Sequence, residues 1–573
     1  MSRLFIDWME VALSPDLQIE LTSCNPFFSK KGEFTYDLDI DLRYPQNEQI
    51  YSHINRSDVL SCPLNREAAI IDGPLTLIKG TEIILAVEGD TAKIQIVGGN
   101  SELNYLSGNG LRVREMDFGT IAVDMALAKK TLDGCFPQYN FVCPPVYTGY
   151  DTDTYSFDNQ MNVQGGVTDY YPGTRISPQP YLLYYVERVV ELLGYTLLEN
   201  FLREDKRWCR LYLVNGYNTY EYAKMLPDWT VDEFITEIEM LFNCIFLVNQ
   251  ANNTVKIVDM KSYYNSEKKI YINETIDSMR GKNYNVEDNL YINYDNVSFD
   301  FPELTEYKYS RVNEEILKMC EVKEVDKYTD LWGQGDAAYD RHIIYHTKDY
   351  GLDFILVRLT DGGLRQKIVN RFADIKENVD GDTTLMKIVP AEIYAGDTAI
   401  GMGSAGIFTC AYARNANPLD DTTGDVGLND MILNGAPEEN VPDRIYVALY
   451  VGWINLFSEI SPEVHYPGYS LPMSATDIFY YITSTSAHSL IKFDDEELTL
   501  ALLGENGLYN RYYKGGIKVN TDTECLASFL MKERLDSKLI YVIENKPYYC
   551  KELKYKVSTT GIDNMVEGTF YPM

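Results

Sequence analysis

The stretch Leu226–Met260 constrains the fold more than any other part of this sequence. Thr230 and Glu233 stand three residues apart, the spacing of a capping box, in which each side chain accepts a hydrogen bond from the other residue's backbone N–H at a helix start. Apolar residues then recur at the spacing of one helix face: Phe234, Ile235, Ile238, Leu241 and Phe242. Two short apolar runs separated by a polar turn follow. The pattern predicts a helix that leads into a two-stranded hairpin and contains no residue type suited to catalysis.

Alternating apolar and polar residues predict that residues 1–125 are all-β. Phe34–Leu42 is predicted to be one half-buried strand with an acidic outer face. The aspartates of that face are Asp37, Asp39 and Asp41. Glu82–Glu88 and Ala92–Gly98 flank Gly89–Asp90, which is the pattern of a β-hairpin. Short strands separated by turns predict a small barrel or sandwich.

Later elements follow from the same two periodicities. Helices are predicted within 119–132 and over Gln179–Leu193, where Gly194 ends the second. Thr521 and Glu524 form another capping-box pattern, which predicts a helix over 526–530 before a hairpin at 539–557. The remaining predicted strands are Ile270–Ile272, Leu290–Tyr294, Val297–Phe301, Phe354–Leu359 and Gly568–Tyr571, and a further helix is predicted over Asn313–Cys320. Arg444–Phe457 is strongly apolar and is predicted to be buried.

The charge balance restricts the partners. Fifty-one Lys and Arg residues face 85 Asp and Glu residues, which gives a formal net charge of −34. A chain of this charge does not bind nucleic acid by neutralising phosphates, because that mode needs a basic surface. Repulsion of like charges would let DNA pass without sticking, and simple solubility explains the same charge.

The cysteine pattern and the N-terminus give an expected compartment. The ten Cys residues contain no CxxC pair, so free thiols in a reducing compartment are expected. Met1 is followed by Asp7 and Glu10 rather than by a long apolar segment. Ile445–Phe457 is too short for a bilayer, which needs about 20 residues. We expect no membrane segment and synthesis in the cytoplasm.

Three motifs match the residue patterns of binding sites, but the residues around them do not fit such sites. Residues 401–406, GMGSAG, match a dinucleotide fingerprint, but β-like residues follow where a helix is required, which favours a flexible loop. His342 and His346 would lie about 13 Å apart on a strand, too far to share a metal. Asp420–Asp425 lacks the spacing of a calcium loop and is predicted to be a solvated loop. A carboxylate pair for glycoside hydrolysis depends on spatial distance and stays open. No catalytic, cofactor-binding or metal-ligating residue is predicted, and no enzyme.

Three passages resemble one known family. The first is Asn25–Phe28, with the strand Phe34–Leu42 and with Asn47–Ile50. The second is the helix and hairpin of Leu226–Met260. The third is the C-terminal hairpin with Tyr548–Cys550 and the closing Gly568–Phe570. In these passages the chain resembles the tail hub, or baseplate hub, proteins of bacteriophages and related contractile injection machines.

The resemblance implies a fold and a role. It implies two small antiparallel β-barrels per chain and a homotrimer whose pseudo-sixfold ring joins the sixfold tail tube to a threefold spike or fibre. The expected neighbours are a tail tube or distal tail protein on one side and a spike, fibre or tape-measure protein on the other. The expected location is the distal tip or baseplate of the virion tail, after synthesis in the host bacterial cytoplasm. DNA would pass through without specific binding, and Asp37, Asp39 and Asp41 would face either that lumen or the outer surface.

The patterns and the resemblance together predict an α+β, β-rich, multidomain fold, with two small antiparallel β-barrels and intervening helix-hairpin domains. The expected segments are 1–130, an N-terminal β-barrel domain; 131–175, a loop-rich linker or insertion; 176–267, an α/β helix-hairpin domain; 268–395, part of a second β-barrel domain; 396–442, a loop-rich insertion; and 443–573, a C-terminal α/β domain that completes the second half. The alternative function is a surface-binding β-protein, an adhesin or receptor-binding tail protein that recognises host glycan or protein through tyrosine-rich loops.

Overall fold

The computed structural model describes most of the chain. The described residues are 1–59, 65–108, 110–148, 157–164, 166–215, 219–249, 252–264, 268–276, 280–283, 296–301, 319–331, 342–358, 364–368, 372, 375–376, 383–396, 407–413, 441–457, 465–483, 488–517, 519, 523–531 and 533–573. The glycine-rich motif at 401–406, the acidic loop at 420–425, the strand predicted over 290–294 and residues 313–318 of the predicted helix lie outside them.

The all-β prediction for residues 1–125 is confirmed for the strands, but it is wrong at two short helices, Pro45–Ile50 and Asn100–Gly108. The elements are β1 Ser2–Ile6, β2 Met9–Val11, β3 Gln18–Cys24, β4 Glu33–Thr35, β5 Leu38–Asp41, α1 Pro45–Ile50, β6 Arg66–Asp72, β7 Leu75–Glu88, β8 Thr91–Gly98 and α2 Asn100–Gly108. The hairpin at Gly89–Asp90 is confirmed. The prediction of one strand over Phe34–Leu42 is wrong, because the chain changes partners there: β4 pairs with β3 and β8, whereas β5 pairs with β8 alone.

The middle of the chain carries the longer helices. Its elements are α3 Met125–Thr131, β9 Phe141–Val142, β10 Val146–Tyr147, β11 Phe157–Asp158, β12 Met161–Gln164, β13 Val167–Tyr170, β14 Gln179–Pro180, α4 Leu182–Leu192, β15 Thr196–Asn200, β16 Leu211–Leu213, α5 Val231–Phe242, β17 Cys244–Asn249 and β18 Thr254–Asp259. The helices predicted within 119–132 and 179–193 are confirmed as α3 and α4.

The helix and hairpin predicted at 226–260 are also confirmed. Thr230 N donates to Glu233 Oε2 at 2.7 Å, and Glu233 N donates to Thr230 Oγ1 at 3.1 Å. Asn243, with φ of 45°, ends α5 in the left-handed conformation. The strands β17 and β18 then pair antiparallel, and β15 lies parallel to β18.

Beyond residue 268 most elements of the described residues are strands. They are β19 Lys269–Ile272, β20 Arg280–Asn283, β21 Asn296–Phe299, β22 Glu321–Val325, β23 Ile343–Thr347, β24 Leu352–Arg358, β25 Leu364–Ile368, β26 Ile375–Lys376, β27 Thr384–Met386, β28 Ile388–Pro390, β29 Ile393–Gly396, β30 Phe408–Tyr412, β31 Ile445–Phe457, β32 His465–Ala475, β33 Phe479–Thr483, β34 His488–Lys492, β35 Glu524–Leu530, β36 Ile540–Ile543, β37 Lys546–Ser558 and β38 Gly561–Pro572. The C-terminal hairpin and final strand are confirmed as β36–β37 and β38.

The helix predicted over 526–530 is wrong, because this segment is strand β35. Leu526, Phe529 and Leu530 match helical spacing, but pairing with β38 imposes the two-residue period of a strand. Phe529 is buried and Leu530 is 68% exposed, so the two side chains point to opposite faces. Pairing with β38 therefore outweighs the helical spacing of the local sequence.

The largest sheet joins the two ends of the chain. Its strand order is β2-β1-β6-β7-β8-β4-β3-β37-β38-β35-β20, and each neighbouring pair on this path is antiparallel. The central ladder runs from Gln18 opposite Ser558 to Cys24 opposite Glu552. One hydrophobic core lies under this sheet and draws on both ends of the chain, for example Leu4, Ile94, Phe529 and Phe570.

Strands β1 and β6 also approach the turn between β37 and β38, which lies further along the same strand path. The Met1 amine lies 3.0 Å from Asp72 Oδ1, and Ser2 N donates to Thr559 O at the β37–β38 turn. Within the described residues no ladder joins β2 to β20, so the two closed barrels and the domain boundaries stay predictions. The fold is β-rich and of the α+β class.

A second and larger core lies around α4 and α5. It also covers the sheets β16-β31-β28 with β32, β22-β23-β24-β25 and β11-β10-β30-β29. Among the helices of the described chain, none is long and apolar enough to cross a membrane.

The capping box of α5 gives a first prediction. We expect Thr230→Ala to lower the free energy of opening α5 by about 1 kcal/mol, because an amide donor of the first turn loses its acceptor. Amide hydrogen exchange along Val231–Phe242 measures this change. Thr230→Ser keeps the hydroxyl and is the control; equal exchange in the alanine and serine variants would contradict the prediction.

Candidate functional site

The side chain of Asn25 connects two of the passages that carry the family resemblance, at Asn25 itself and at Cys550, with the tyrosines that follow the third, Tyr263 and Tyr264. This side chain is fully buried at the end of β3. Its Nδ2 atom lies 2.7 Å from the Tyr264 hydroxyl oxygen and 2.9 Å from the carbonyl oxygens of both Ser537 and Cys550. Its Oδ1 atom accepts from the Tyr263 hydroxyl at 2.7 Å. One carboxamide therefore joins the N-terminal segment, the end of the helix-hairpin unit and the C-terminal sheet.

The local sequence explains why asparagine is suited to this position. Oδ1 also accepts from the backbone N–H of Phe27 at 3.0 Å, a turn that asparagine forms readily. The backbone N–H of Asn25 continues the β3–β37 ladder by donating to Lys551 O at 2.8 Å. The residue thus ends a strand, starts a turn and bonds two distant segments at once.

Aromatic rings surround this carboxamide. We call the group the Asn25 junction and define it as Asn25, Phe27, Phe28, Tyr263, Tyr264, Tyr549 and Tyr571. The ring centroids of Phe27 and Tyr264 are 5.0 Å apart, those of Phe28 and Tyr571 are 5.1 Å apart, and those of Tyr264 and Tyr549 are 4.7 Å apart. Such pairs contribute about 0.5–1.5 kcal/mol beyond their buried area. Ile245 and Met260 add apolar contacts from the helix-hairpin unit.

Helix α2 makes a second connection to this unit. Asn100 Nδ2 donates to Phe246 O at 2.5 Å, and Val248 N donates to Asn100 Oδ1 at 3.2 Å, so α2 is bonded to β17. A Cβ atom at Gly32 would lie 2.6 Å from the backbone nitrogen of Ser101, so glycine is required where this loop crosses α2. The two connections hold the helix-hairpin unit rigidly against the large sheet.

A small cavity lies between the two connections. Its lining includes Pro26, Lys30, Asn104, Glu239, Ile245 and Met260. Its volume of about 30 Å³ is close to the space of one water molecule. A cavity of this size is too small for an organic cofactor or substrate, so its setting is structural.

Two buried carboxyl groups of α5 lie beside these contacts. Glu239 accepts from Phe246 N at 3.3 Å, and Glu237 accepts from Lys387 N at 2.8 Å. Burial raises the pKa of each carboxyl to about 7. At Glu239 the positive charge of Lys30 lowers the pKa, and the negative charge of Asp232 raises it. At Glu237 the positive charge of Lys387 lowers the pKa, and the negative charges of Asp300 and Glu233 raise it. Both carboxyl groups therefore change charge near neutral pH.

The aspartates predicted as site residues lie elsewhere, on and beside β5. Asp37 and Asp39 are exposed, and Asp39 stands opposite Lys93 in the ladder with β8. Arg43 donates to both oxygens of Asp41 at 2.8 and 2.9 Å, which lowers the pKa of that carboxyl. Their orientation toward a lumen stays a prediction.

The histidine pair behaves as its strand pattern predicts. His346 lies in β23 with its Nδ1 atom 2.8 Å from Asp353 Oδ1, and His342 precedes the strand. Across the described ranges, no group of three His, Cys, Asp or Glu side chains is placed to hold a metal ion.

The sequence patterns missed two of the seven residues of the junction, Tyr263 and Tyr264, and also missed Ser537, whose carbonyl oxygen accepts from Asn25. Tyr263, Tyr264 and Ser537 carry no periodic signal, and their contacts with Asn25 span 238 residues or more. The adjacent tyrosines just after β18 are the one local hint, since paired aromatic side chains at a strand end usually pack against another part of the fold.

Comparisons with solved structures find distant likenesses that extend over nearly the whole chain. The prophage MuSo2 43 kDa tail protein from Shewanella oneidensis has 6% sequence identity and a TM-score of 0.31, covering 99% of this chain and 95% of that chain. The tail protein from Neisseria meningitidis MC58 has 7% identity and a TM-score of 0.26, covering 100% of this chain and 95% of that chain. No family model and no curated protein matches. Identities and TM-scores this low do not establish a shared fold.

The Asn25 junction gives a stability prediction. We expect Asn25→Ala to lower the free energy of unfolding by about 3 kcal/mol or more, because several buried groups lose their partner. Asn25→Asp should be comparably harmful, since it places a carboxylate against the carbonyl oxygens of Ser537 and Cys550. Chemical unfolding measures both variants.

The matched control for this prediction is Asn55→Ala, which removes one bond to Asp90 at a partly exposed position. A loss in Asn25→Ala no larger than in Asn55→Ala would show that the junction does not stabilise the fold.

The buried carboxyl groups give a pH prediction. Their folded-state pKa values lie above the value of 4.5 for an unperturbed glutamate, so the stabilisation is complete below about pH 4.5 and is lost as the pH rises through about 7. We expect the free energy of unfolding to fall by up to about 3 kcal/mol per carboxyl over this range. Glu237→Gln and Glu239→Gln should each flatten the profile and raise stability at pH 8. The control is Glu204→Gln at an exposed position; parallel profiles for all three variants and the unchanged chain would contradict the prediction.

Proposed function

We propose that this chain is a structural protein of a bacteriophage tail and acts as a hub at the distal tip. Three copies form a ring that joins the sixfold tail tube to a threefold spike or fibre, and burial between copies does this work without any catalytic step. One observation carries the proposal: residues of the three passages that resemble hub proteins, although far apart in sequence, pack into one apolar cluster that includes Phe27, Met260 and Tyr549.

The connection between the chain ends supports a load-bearing role. The β3–β37 ladder pairs seven residues of β3 with seven of β37, so separating the two ends requires these backbone bonds to break together. The Asn25 junction then fixes the helix-hairpin unit to the same sheet. A part that lies between a tube and a spike must keep its shape under force, and this arrangement has no single hinge at that point.

The charge supports passage of DNA without binding. A formal charge of −34 repels phosphates, and no counterions are released to favour association. In the proposed ring Asp37 and Asp39 face the lumen; both carboxylates are exposed, which fits that position and an outer-surface position equally. Asp41 keeps its charge through its pairing with Arg43.

The partners follow from the position in the tail. One face of the ring contacts a tail tube or distal tail protein, and the opposite face contacts a spike, fibre or tape-measure protein. Both contacts are protein to protein, as suits a chain with 46 Tyr and 22 Phe residues, because aromatic side chains supply large areas of interface.

Localisation in purified particles tests the proposal. Met573 is 57% exposed and follows the last strand, so it accepts a tag without loss of a described contact of its side chain. We expect electron microscopy of tagged particles, treated with a gold-labelled tag binder, to place the label at the distal tail tip. Particles with the untagged chain are the control. Label on the capsid or along the tail shaft, or tagged chain absent from purified particles, would refute the hub role.

A further inference from the structure

The two-residue turn between β1 and β2 presents a tryptophan to solvent. Trp8 is 64% exposed, and the next residue, Met9, is 48% exposed. Large apolar side chains at a turn are unfavourable in water, and tryptophan is the residue type most enriched among the energetically dominant contacts of protein interfaces. The fold alone therefore does not explain why a tryptophan is exposed at this turn.

The backbone at this turn is unusual for such a residue. Asp7 has φ of 45° and Trp8 has φ of 62°, the pattern of a type I′ turn, in which Asn-Gly is preferred. Among the described non-glycine residues with positive φ, Trp8 has the largest side chain. A bulky residue in this region costs conformational free energy, and such residues concentrate at functional positions.

Neighbouring side chains fix the direction of the indole ring. Trp8 Nε1 donates to Glu67 Oε2 at 3.0 Å, and Lys79 Nζ lies 2.8 Å from Glu67 Oε1. The same ammonium lies 5.9 Å from the ring centroid, within reach of a cation–π contact. Asp7 and Glu67 are joined by two further hydrogen bonds, at 2.8 and 3.3 Å. The exposed ring is thus held in one orientation before any contact, which lowers the entropy lost on binding.

The charge around the ring limits the partner. Asp7 and Glu10 are exposed, and Glu67 and Lys79 lie against the ring, so three carboxylates and one ammonium leave this surface negative. The same turn of a second copy would bring these carboxylates against one another. Nucleic acid would be repelled for the same reason.

We propose that Trp8 and Met9 form the anchor of a contact with a different protein, whose surface offers an apolar pocket with Lys or Arg side chains at its rim. The indole ring enters the pocket, and the rim pairs with Asp7 and Glu10. The inference rests on the proposed function in one respect, that the partner is another protein of the same particle.

Site-specific photo-cross-linking identifies the partner. The full-length chain with p-benzoylphenylalanine in place of Trp8 is produced together with the other proteins of its particle and irradiated, and the adducts are identified by mass spectrometry. The control places the same residue at Tyr271, an aromatic side chain of β19 that is also 64% exposed. We expect position 8, and not position 271, to form an adduct with one other protein, at a peptide flanked by Lys or Arg. No adduct specific to position 8, or an adduct only with a second copy or with nucleic acid, would overturn the proposal.

Binding to that cross-linked protein, once purified, tests the mechanism. We expect Trp8→Ala to weaken binding about tenfold or more and Tyr271→Ala to leave it unchanged. High salt should weaken binding of the unchanged chain, because the rim contacts are charged and exposed. Glu67→Ala should also weaken binding, since the ring stays but loses its fixed direction. Unfolding midpoints of the variants show that each remains folded. Equal binding by Trp8→Ala and the unchanged chain would refute the anchor.

Discussion

The carboxamide of Asn25 is the smallest group on which the arrangement of this protein depends. It has two donor hydrogens and one acceptor oxygen, and it uses them on Tyr264, Ser537, Cys550, Tyr263 and Phe27 in a site without exposure to solvent. Buried polar groups must find partners, because an unpaired one keeps the full cost of losing water. Other arrangements of the three segments would leave the same group unpaired, so the junction selects one arrangement as well as stabilising it.

Backbone hydrogen bonds and side-chain packing both stabilise the elements around the junction. The β3–β37 ladder aligns the two ends of the chain, and the aromatic rings of Phe27, Phe28 and Tyr571 fill the space that the ladder leaves open. Helix α5 contributes a different property, since its two buried carboxyl groups have pKa values near 7 and make its surroundings sensitive to pH. In an assembly of several copies, the stability of each copy would depend on pH in this way.

An element can be predicted from the sequence when the residues that determine its conformation lie close together along the chain. The capping box at Thr230 and the turn at Gly89–Asp90 act within a few residues, and the elements predicted from them are present. Leu526 and Leu530 match a helix, but the distant strand β38 decides their conformation. The passages at 25–28 and 548–550 could be identified from sequence as part of one family pattern, whereas their contact across 525 residues could not. The orientation of Trp8 likewise depends on Glu67 and Lys79, which no local pattern connects to it.

The same ladder has a consequence for biosynthesis. When β3 leaves the ribosome, the strand that will cover its free edge is still untranslated, because Asn25 and its partner Cys550 are 525 residues apart. At about 5–20 residues per second, the edge waits roughly half a minute to two minutes for that partner. Nascent strands with open edges are prone to pair with other chains, so this edge of β3 stays open to such pairing until β37 has been translated.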